Sequence, residues 1–413
     1  MTATGATTGN TVTETVSVSE GQTMTIASSG TLTVATDASS PSSGALLVGG
    51  ASKVTVGELR VTALNENIDI TGIHLDRTQV NGGQLNDEFS MVYLFDGTTQ
   101  IAAIAPTTTA EITFENLDGK FVIPKGSTGK KLTVKVDTQD VTNNQGDGNV
   151  ADSGDGVSFS VAQDKYQAKG VSSGTAIAAG SKSGTFTGEA FTVYRSVPTW
   201  AKLSLSSNTL VNSSGVPLFK FRLTADPKGD IGFYKASFAL TTTTASVTAL
   251  QLLEEPNTGS EVDLTADGGR LPNITLVSST DGTGEHAIHI LFQTNSGLGF
   301  GNGGIFRTVA AGTSKTYELR GTVANSVTGS TLSVAFRGDS QFGVLPAYPD
   351  CAGGATVGDQ ACTGIADAAK GKFVWSDLHW GNSSSTATNT EQWFNGFRVS
   401  GMPVTSTAEL LTR

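Results

Sequence analysis

Histidine, cysteine, methionine and tryptophan are scarce in this chain, with four His, two Cys, four Met and four Trp in 413 residues. So few histidines leave few routes to acid–base or metal chemistry. His286 and His289, in EHAIHILF, stand three apart in a strand-like segment. Residues three apart on a strand point to opposite faces, so the two do not form the joint ligand pair that helical spacing would give. His74 and His379 are isolated and read as structural. Basic residues are outnumbered, 26 against 37 acidic, for a net charge of −11, and none of them cluster. Binding to nucleic-acid phosphates needs clustered Lys and Arg, so no nucleic-acid partner is expected. No run approaches the roughly 18–20 apolar residues of a membrane-spanning helix. The opening MTATGATTGN has neither the basic nor the apolar region of a signal peptide, and the expectation is a mature or engineered terminus of a secreted chain.

Motifs of enzyme chemistry fail on context. Gly170-Val171-Ser172-Ser173-Gly174 matches a nucleophile elbow but sits in a Gly/Ser/Ala stretch, without the strand and helix that give the motif meaning. GLGFGNGG, from Gly297, leads into strand-like IFRTV, whereas a phosphate cradle needs a helix N-terminus. Carboxylates are present, but nothing orders them into the pair that a glycosidase uses. Not an enzyme is the reading, and no cofactor is expected apart from the calcium weighed below.

What the chain has instead is Gly, Ser, Thr, Val and Ala, with turn dipeptides throughout: Asn81-Gly82, Asp96-Gly97, Asp118-Gly119, Asp155-Gly156, Asp267-Gly268, Asp281-Gly282 and Asn395-Gly396. Thr and Val favour strands, and Asn-Gly and Asp-Gly favour hairpin turns. No stretch carries apolar residues at sustained helical spacing. The expected fold is all-β: tandem Ig-like antiparallel β-sandwich domains behind an extended N-terminal strand segment.

The second half repeats the first. GELRVTALNENIDITGIHL, from Gly57, matches FKFRLTADPKGDIGFYKASFAL, from Phe219. IPKGSTGKKLTVKVDT, from Ile123, matches VAAGTSKTYELRGTVA, from Val309, and VSFSVAQD matches LSVAFRGD. In the first copy Leu132, Val134 and Val136 alternate toward the core. The expected division is a leader at 1–44, a first sandwich at 45–166, a linker at 167–188, a second sandwich at 189–345, and a tail at 346–413 packing on the second sandwich.

Five features remain as candidate sites. In the leader, TVTETVSVSEGQ alternates so that Val12, Val16 and Val18 share one side. Such a strand needs a sheet: a neighbour's, its own domain's, or none if the segment is a disordered stalk. DTQDVTNNQGDGNVADSGDG offers Asp137, Asp140, Asn143, Asp147, Asn149, Asp152 and Asp155 between glycines, the oxygen ligands on flexible loops that calcium prefers. Its register fails at Gly154, where a calcium loop has a bidentate Glu, and a solvated acidic loop is the favoured alternative. Cys351 and Cys362 enclose a short loop that a disulfide closes in an oxidising compartment, with two free thiols as the alternative. Sequons at Asn212, Asn273 and Asn382 permit glycosylation. The tail holds Trp375, Trp380 and Trp393 with Phe373, Phe394 and Phe397, rings that either stack on a sugar or fill a core or subunit contact.

FVWSDLHWGN followed by TEQWFNGFRVSGMP resembles the C-terminal signature of large secreted surface proteins of the Candidate Phyla Radiation (Patescibacteria). Phe373, Trp375, Ser376, Asp377, Trp393, Asn395, Gly396, Gly401 and Pro403 fill that pattern, with Met402 in place of its Leu. LFKFRLTADPKGDI is similar to the family's strand before an Ala-Asp turn. The resemblance implies Ig-like sandwiches of an S-layer or surface filament, and structural positions for the Trp residues. The functional expectation is an extracellular, cell-surface structural protein that polymerises with copies of itself by strand donation. The alternative is an adhesin or carbohydrate-binding protein whose partners are cell-wall or surface glycans.

Overall fold

The computed structural model describes residues 2–4, 11–13, 30–42, 44–80, 88–141, 153–255, 262–263, 273–278, 286–291, 307–340, 372–378, 380–381, 390–391 and 394–413. Among these the regular structure is strand, apart from one short 3₁₀ turn at Ala179–Ser181. The chain is all-β, as its composition predicts.

The first sandwich has one sheet in the order Lys182–Ser183, Thr31–Thr36, Val54–Leu64, Lys130–Thr138, Phe89–Asp96, Thr99–Ile104. The facing sheet is built on Ile68–Val80, which pairs on one side with Gly156–Val161 and Tyr166–Gly170 and on the other with Glu111–Phe114 and Val122–Ile123. Phe191–Tyr194 extends it and takes Leu46–Val48 as a parallel neighbour. Alternation fills the space between the sheets: Leu132, Val134 and Val136 have no exposed surface, and they meet Phe121, Phe159 and Phe186 in one core.

The second sandwich repeats the central strand order of the first. Pro198–Leu203, Ser213–Ala225, Ser314–Ala324, Ser246–Glu255 and Val262–Asp263 form one sheet. Ile231–Thr243 centres the other, between Thr331–Arg337 and Val374–Ser376 on one side and His286–Leu291 and Arg307–Val309 on the other. The correspondence extends to irregularities. Tyr166–Gly170 skips one residue of its partner strand, pairing Gln167 with Gly72 and Ala168 with Ile70. Val374–Ser376 does the same, pairing Val374 with Lys235 and Trp375 with Phe233.

Three boundaries differ from the sequence expectation. Thr31–Thr36, assigned to the leader, is a strand of the first sandwich, paired antiparallel along Val54–Leu64. The stretch 167–188 is not a linker: Tyr166–Gly170, Lys182–Ser183 and Phe186–Thr187 all pair with first-sandwich strands. Its Gly, Ser and Ala content reflects tight turns between short strands. The tail does more than pack on the second sandwich, because Val374–Ser376, Phe394–Asn395 and Glu409–Thr412 are strands of its sheet. It lies within the repeat, displaced in sequence because residues 338–373 stand where the first copy has only residues 162–165.

Candidate functional site: the joint between the sandwiches

The described candidate residues do not converge on a pocket. Asp137 is the penultimate residue of the strand Lys130–Thr138 and its carboxylate is already filled. Oδ1 accepts from the Lys53 N–H at 2.6 Å and the Ser52 hydroxyl at 2.8 Å, and Oδ2 accepts from the Tyr93 hydroxyl at 2.6 Å. Burial pushes this carboxyl up, but the Tyr93, Lys53 and Ser52 hydrogen bonds outweigh it and hold Asp137 below the usual carboxylate range. Asp140 is exposed and meets Lys228 Nζ at 3.5 Å. Asp155 is half-buried, its carbonyl accepting from the Val193 N–H at 2.8 Å. Asn143, Asp147, Asn149 and Asp152 lie outside the described residues. Among the described residues no group of three His, Cys, Asp or Glu side chains is placed to hold a metal ion.

Cys351, Cys362, Asn382, Trp393, Val16 and Val18 also lie outside the described residues. Val12 falls in Thr11–Thr13, which pairs antiparallel with Thr2–Thr4 and sets Val12 opposite Ala3 of its own chain. Asn273 begins the strand Asn273–Ser278. Asn212 is exposed, and its amide clamps a loop: Oδ1 accepts from the Ser326 N–H at 2.9 Å and hydroxyl at 2.6 Å, while Nδ2 donates to the Ser326 carbonyl at 3.2 Å. The Gly170–Gly174 segment is a turn held by Glu66, which accepts from the N–H groups of Ser172 and Ser173 and from the Ser173 hydroxyl. His74 lies between Glu111 at 3.1 Å and Glu115 at 3.0 Å, part of a surface charge cluster.

What the structure does bring together is a joint. Phe191–Tyr194 closes the first sandwich, yet Tyr194 belongs to the core of the second. Its ring lies 5.2 Å from Trp375 and meets Phe394 edge-on at 4.8 Å. Trp375 has no exposed surface and donates its indole N–H to the Asn395 carbonyl at 2.8 Å. Burial pushes the Tyr194 phenol far above its ordinary value, so it is neutral at every physiological pH. Leu46, on the parallel strand beside Phe191–Tyr194, also packs on the second core.

Polar contacts seal the rim. Asp377, fully buried, accepts from the Ser153 hydroxyl and from the Arg195 N–H at 2.8 Å. Arg398 donates to the Ala190 carbonyl at 2.8 Å and reaches Glu189 at 3.5 Å. Gly44 and Gly154 permit the approach. A Cβ on Gly44 would stand 2.1 Å from Arg398 Nη1, and one on Gly154 2.5 Å from the Phe394 ring. Trp375 is thus spent on packing, the second of the two readings of the aromatic tail, and a sugar cannot stack on it without opening the joint.

Sequence reasoning singled out Trp375, Phe394 and Asp377 but missed Tyr194. The available signal was the repeat. Ala168 occupies in the first copy the register position of Trp375 in the second, so the tryptophan marks a surface that the second copy covers and the first does not.

No protein-family model matches the chain, and no curated protein does. Among solved structures, the C-terminal domain of the Streptococcus agalactiae antigen I/II polypeptide BspA is 9% identical, with a TM-score of 0.19 over 74% of this chain and 95% of that one. The C-terminal domain of the Streptococcus pyogenes antigen I/II-family protein AspA is 8% identical, TM-score 0.20, over 75% and 95%. The major pilin RrgB of Streptococcus pneumoniae is 11% identical, TM-score 0.18, over 67% and 44%. Scores this low carry no argument about what this chain does.

Proposed function

We propose that the chain is an extracellular structural protein of the cell surface that assembles with copies of itself into a filament or S-layer, its opening segment adding a strand to a neighbour's sheet. The observation that carries this reading is the edge strand Thr99–Ile104. Among the described residues it pairs on one side only, with Phe89–Asp96, and ends its sheet. Its sequence, TQIAAI, holds no charged residue and no proline. Edge strands are commonly protected by lysine, proline, inward charge or a bulge, because their free N–H and C=O groups recruit other strands. Here one bulge, between Leu94 and Phe95 of the partner, is the single such device. A Thr/Val strand from another copy fits an edge of this kind: backbone hydrogen bonds supply affinity and alternate side chains supply register.

The joint supports the same reading. A subunit that bears load along a polymer needs its domains fixed to each other, and the Tyr194–Trp375 contact does this with buried area. The tail's resemblance to secreted surface proteins points the same way. Among the described residues no helix is long and apolar enough to cross a membrane.

Negative-stain electron microscopy of the intact chain beside one lacking residues 1–29 tests the reading. The truncation leaves Thr31–Thr36 in its sheet. Ordered polymers from the intact chain and dispersed particles from the truncated one are expected. Identical dispersed particles from both would overturn strand donation.

A further inference from the structure

The two sandwiches are copies, so the surface by which the first docks on the second has a counterpart at the far end of the second. At the joint the first sandwich presents the turn Ser153-Gly154. Gly154 has φ +90° and donates its N–H to the Val193 carbonyl at 2.8 Å. The strands that follow this turn carry the same register, Gly156 pairing with Val80 in one copy and Thr331 with Thr243 in the other. Counting back from them, Thr328-Gly329 of the second sandwich is the counterpart of Ser153-Gly154. The backbone agrees: Gly329 has φ +87° and donates its N–H to the Arg413 carbonyl at 3.1 Å. At the joint this turn is buried; at the far end Val327, Thr328 and Gly329 are exposed.

The receiving surface also has a counterpart. In the second sandwich the Ser153 hydroxyl is met by the Asp377 carboxylate, and by strand register Asp377 occupies the position of Gly170. Gly170 has no side chain, but a carboxylate stands there all the same. A Cβ on Gly170 would lie 2.2 Å from Glu66 Oε1. Glu66 also repeats the second duty of Asp377. It accepts a backbone N–H from the segment entering its sandwich, that of Gly30 at 3.1 Å, as Asp377 accepts that of Arg195.

Apolar exposure marks the same two surfaces. Six large apolar side chains are strongly exposed among the described residues. Leu64 at 59% and Val171 at 50% flank the Glu66 turn, and Val211 at 46% and Val327 at 57% flank the Asn212–Ser326 clamp beside Thr328. The two surfaces lie at the ends of the central strands away from the joint. Ile68–Val80 runs from the Glu66 turn toward the joint, and Ile231–Thr243 runs from the joint toward the Thr328 turn.

We infer that copies of this chain dock end to end, the Val327-Thr328-Gly329 turn of one copy against the Leu64–Glu66 and Val171 surface of the next, with Thr328 donating to Glu66 as Ser153 donates to Asp377. The inference rests on the reading that the chain assembles with itself and names the surfaces involved. The contact is heterologous and does not close, so it propagates into a linear polymer. Its receiving surface has Ala168 where the internal joint has Trp375, so it buries less aromatic area, is weaker than the internal joint and depends on concentration.

Sedimentation velocity of four full-length forms tests this: wild type, V327D/T328D at one end, L64D/V171D at the other, and an equimolar mixture of the two variants. The end contact and the donated strand act together at each junction and neither holds two copies alone, so the expected result is higher oligomers for wild type, monomer for each variant, and a species of two subunits at most for the mixture, since one intact end of each kind remains. The two-subunit species also shows that both variants are folded. Both variants assembling as wild type does, while deletion of residues 1–29 abolishes assembly, would overturn end-to-end docking and leave strand donation standing. A wild type that stays monomeric at every concentration would overturn both.

Discussion

Among single residues, the buried carboxylate of Asp37 holds a turn in place. Asp37 follows the strand Thr31–Thr36 and is 5% exposed. It accepts from the Ser39 hydroxyl at 2.6 Å and the Ser39 N–H at 2.8 Å, and pairs with Arg60. The two Ser39 hydrogen bonds, with Arg60 adding to them against the opposing effect of burial, hold its carboxyl below the usual range. A carboxyl depressed in the folded state takes up its proton more readily in the unfolded chain, whose Asp titrates near about 3.9. The stability that Asp37 contributes is therefore full above that value and declines as pH falls through the folded one. Asp37→Asn should lower Tm at pH 6, and the gap to wild type should narrow below about pH 4. A gap that is constant from pH 6 to pH 2.5, followed by circular dichroism, would show that the charge of Asp37 is irrelevant. Nothing in the sequence marked this residue, because its partners are set by the turn it caps and by a strand 23 residues further on.

Among strands, legibility followed local pattern. Val54–Leu64, Ile68–Val80, Lys130–Thr138 and Gly156–Val161 alternate or carry long apolar stretches, and each stands where the sequence predicts a strand. Lys182–Ser183, Phe186–Thr187 and Val122–Ile123 are two residues long and pair through partners far away in sequence, so no period announces them. The same holds for Val374–Ser376, legible as a motif but not as the strand that completes the second sandwich. Its weight there can be measured. Trp375→Ala removes a fully buried ring from the joint, and large-to-small changes of this kind cost about 3–5 kcal/mol. Urea unfolding should show that loss in the second sandwich, with the first unfolding as before. A loss below about 1 kcal/mol would place Trp375 outside the core.

At the level of the whole molecule, duplication explains most of the architecture. The second sandwich repeats the central strand order of the first, one register skip included, and the joint forms where a large ring at position 375 stands in the place of the first copy's small Ala168. The repeat was readable in the sequence, but its extent was not, because residues 338–373 separate two strands that only four residues separate in the first copy. The joint itself was unreadable, since Tyr194 and Trp375 lie far apart in the chain and meet only through the fold. Tyr194, Trp375, Phe394 and Asp377 are spent on this internal contact, while an edge strand and two apolar ends stay exposed. Such a surface suits polymerisation better than ligand capture. The measurement that tests this most directly is the weight-average mass of the intact chain, by sedimentation equilibrium, across a hundredfold range of concentration. A mass that rises continuously without a plateau is predicted, as for an open-ended polymer. A mass that stays at 42.4 kDa, one chain, throughout would contradict it.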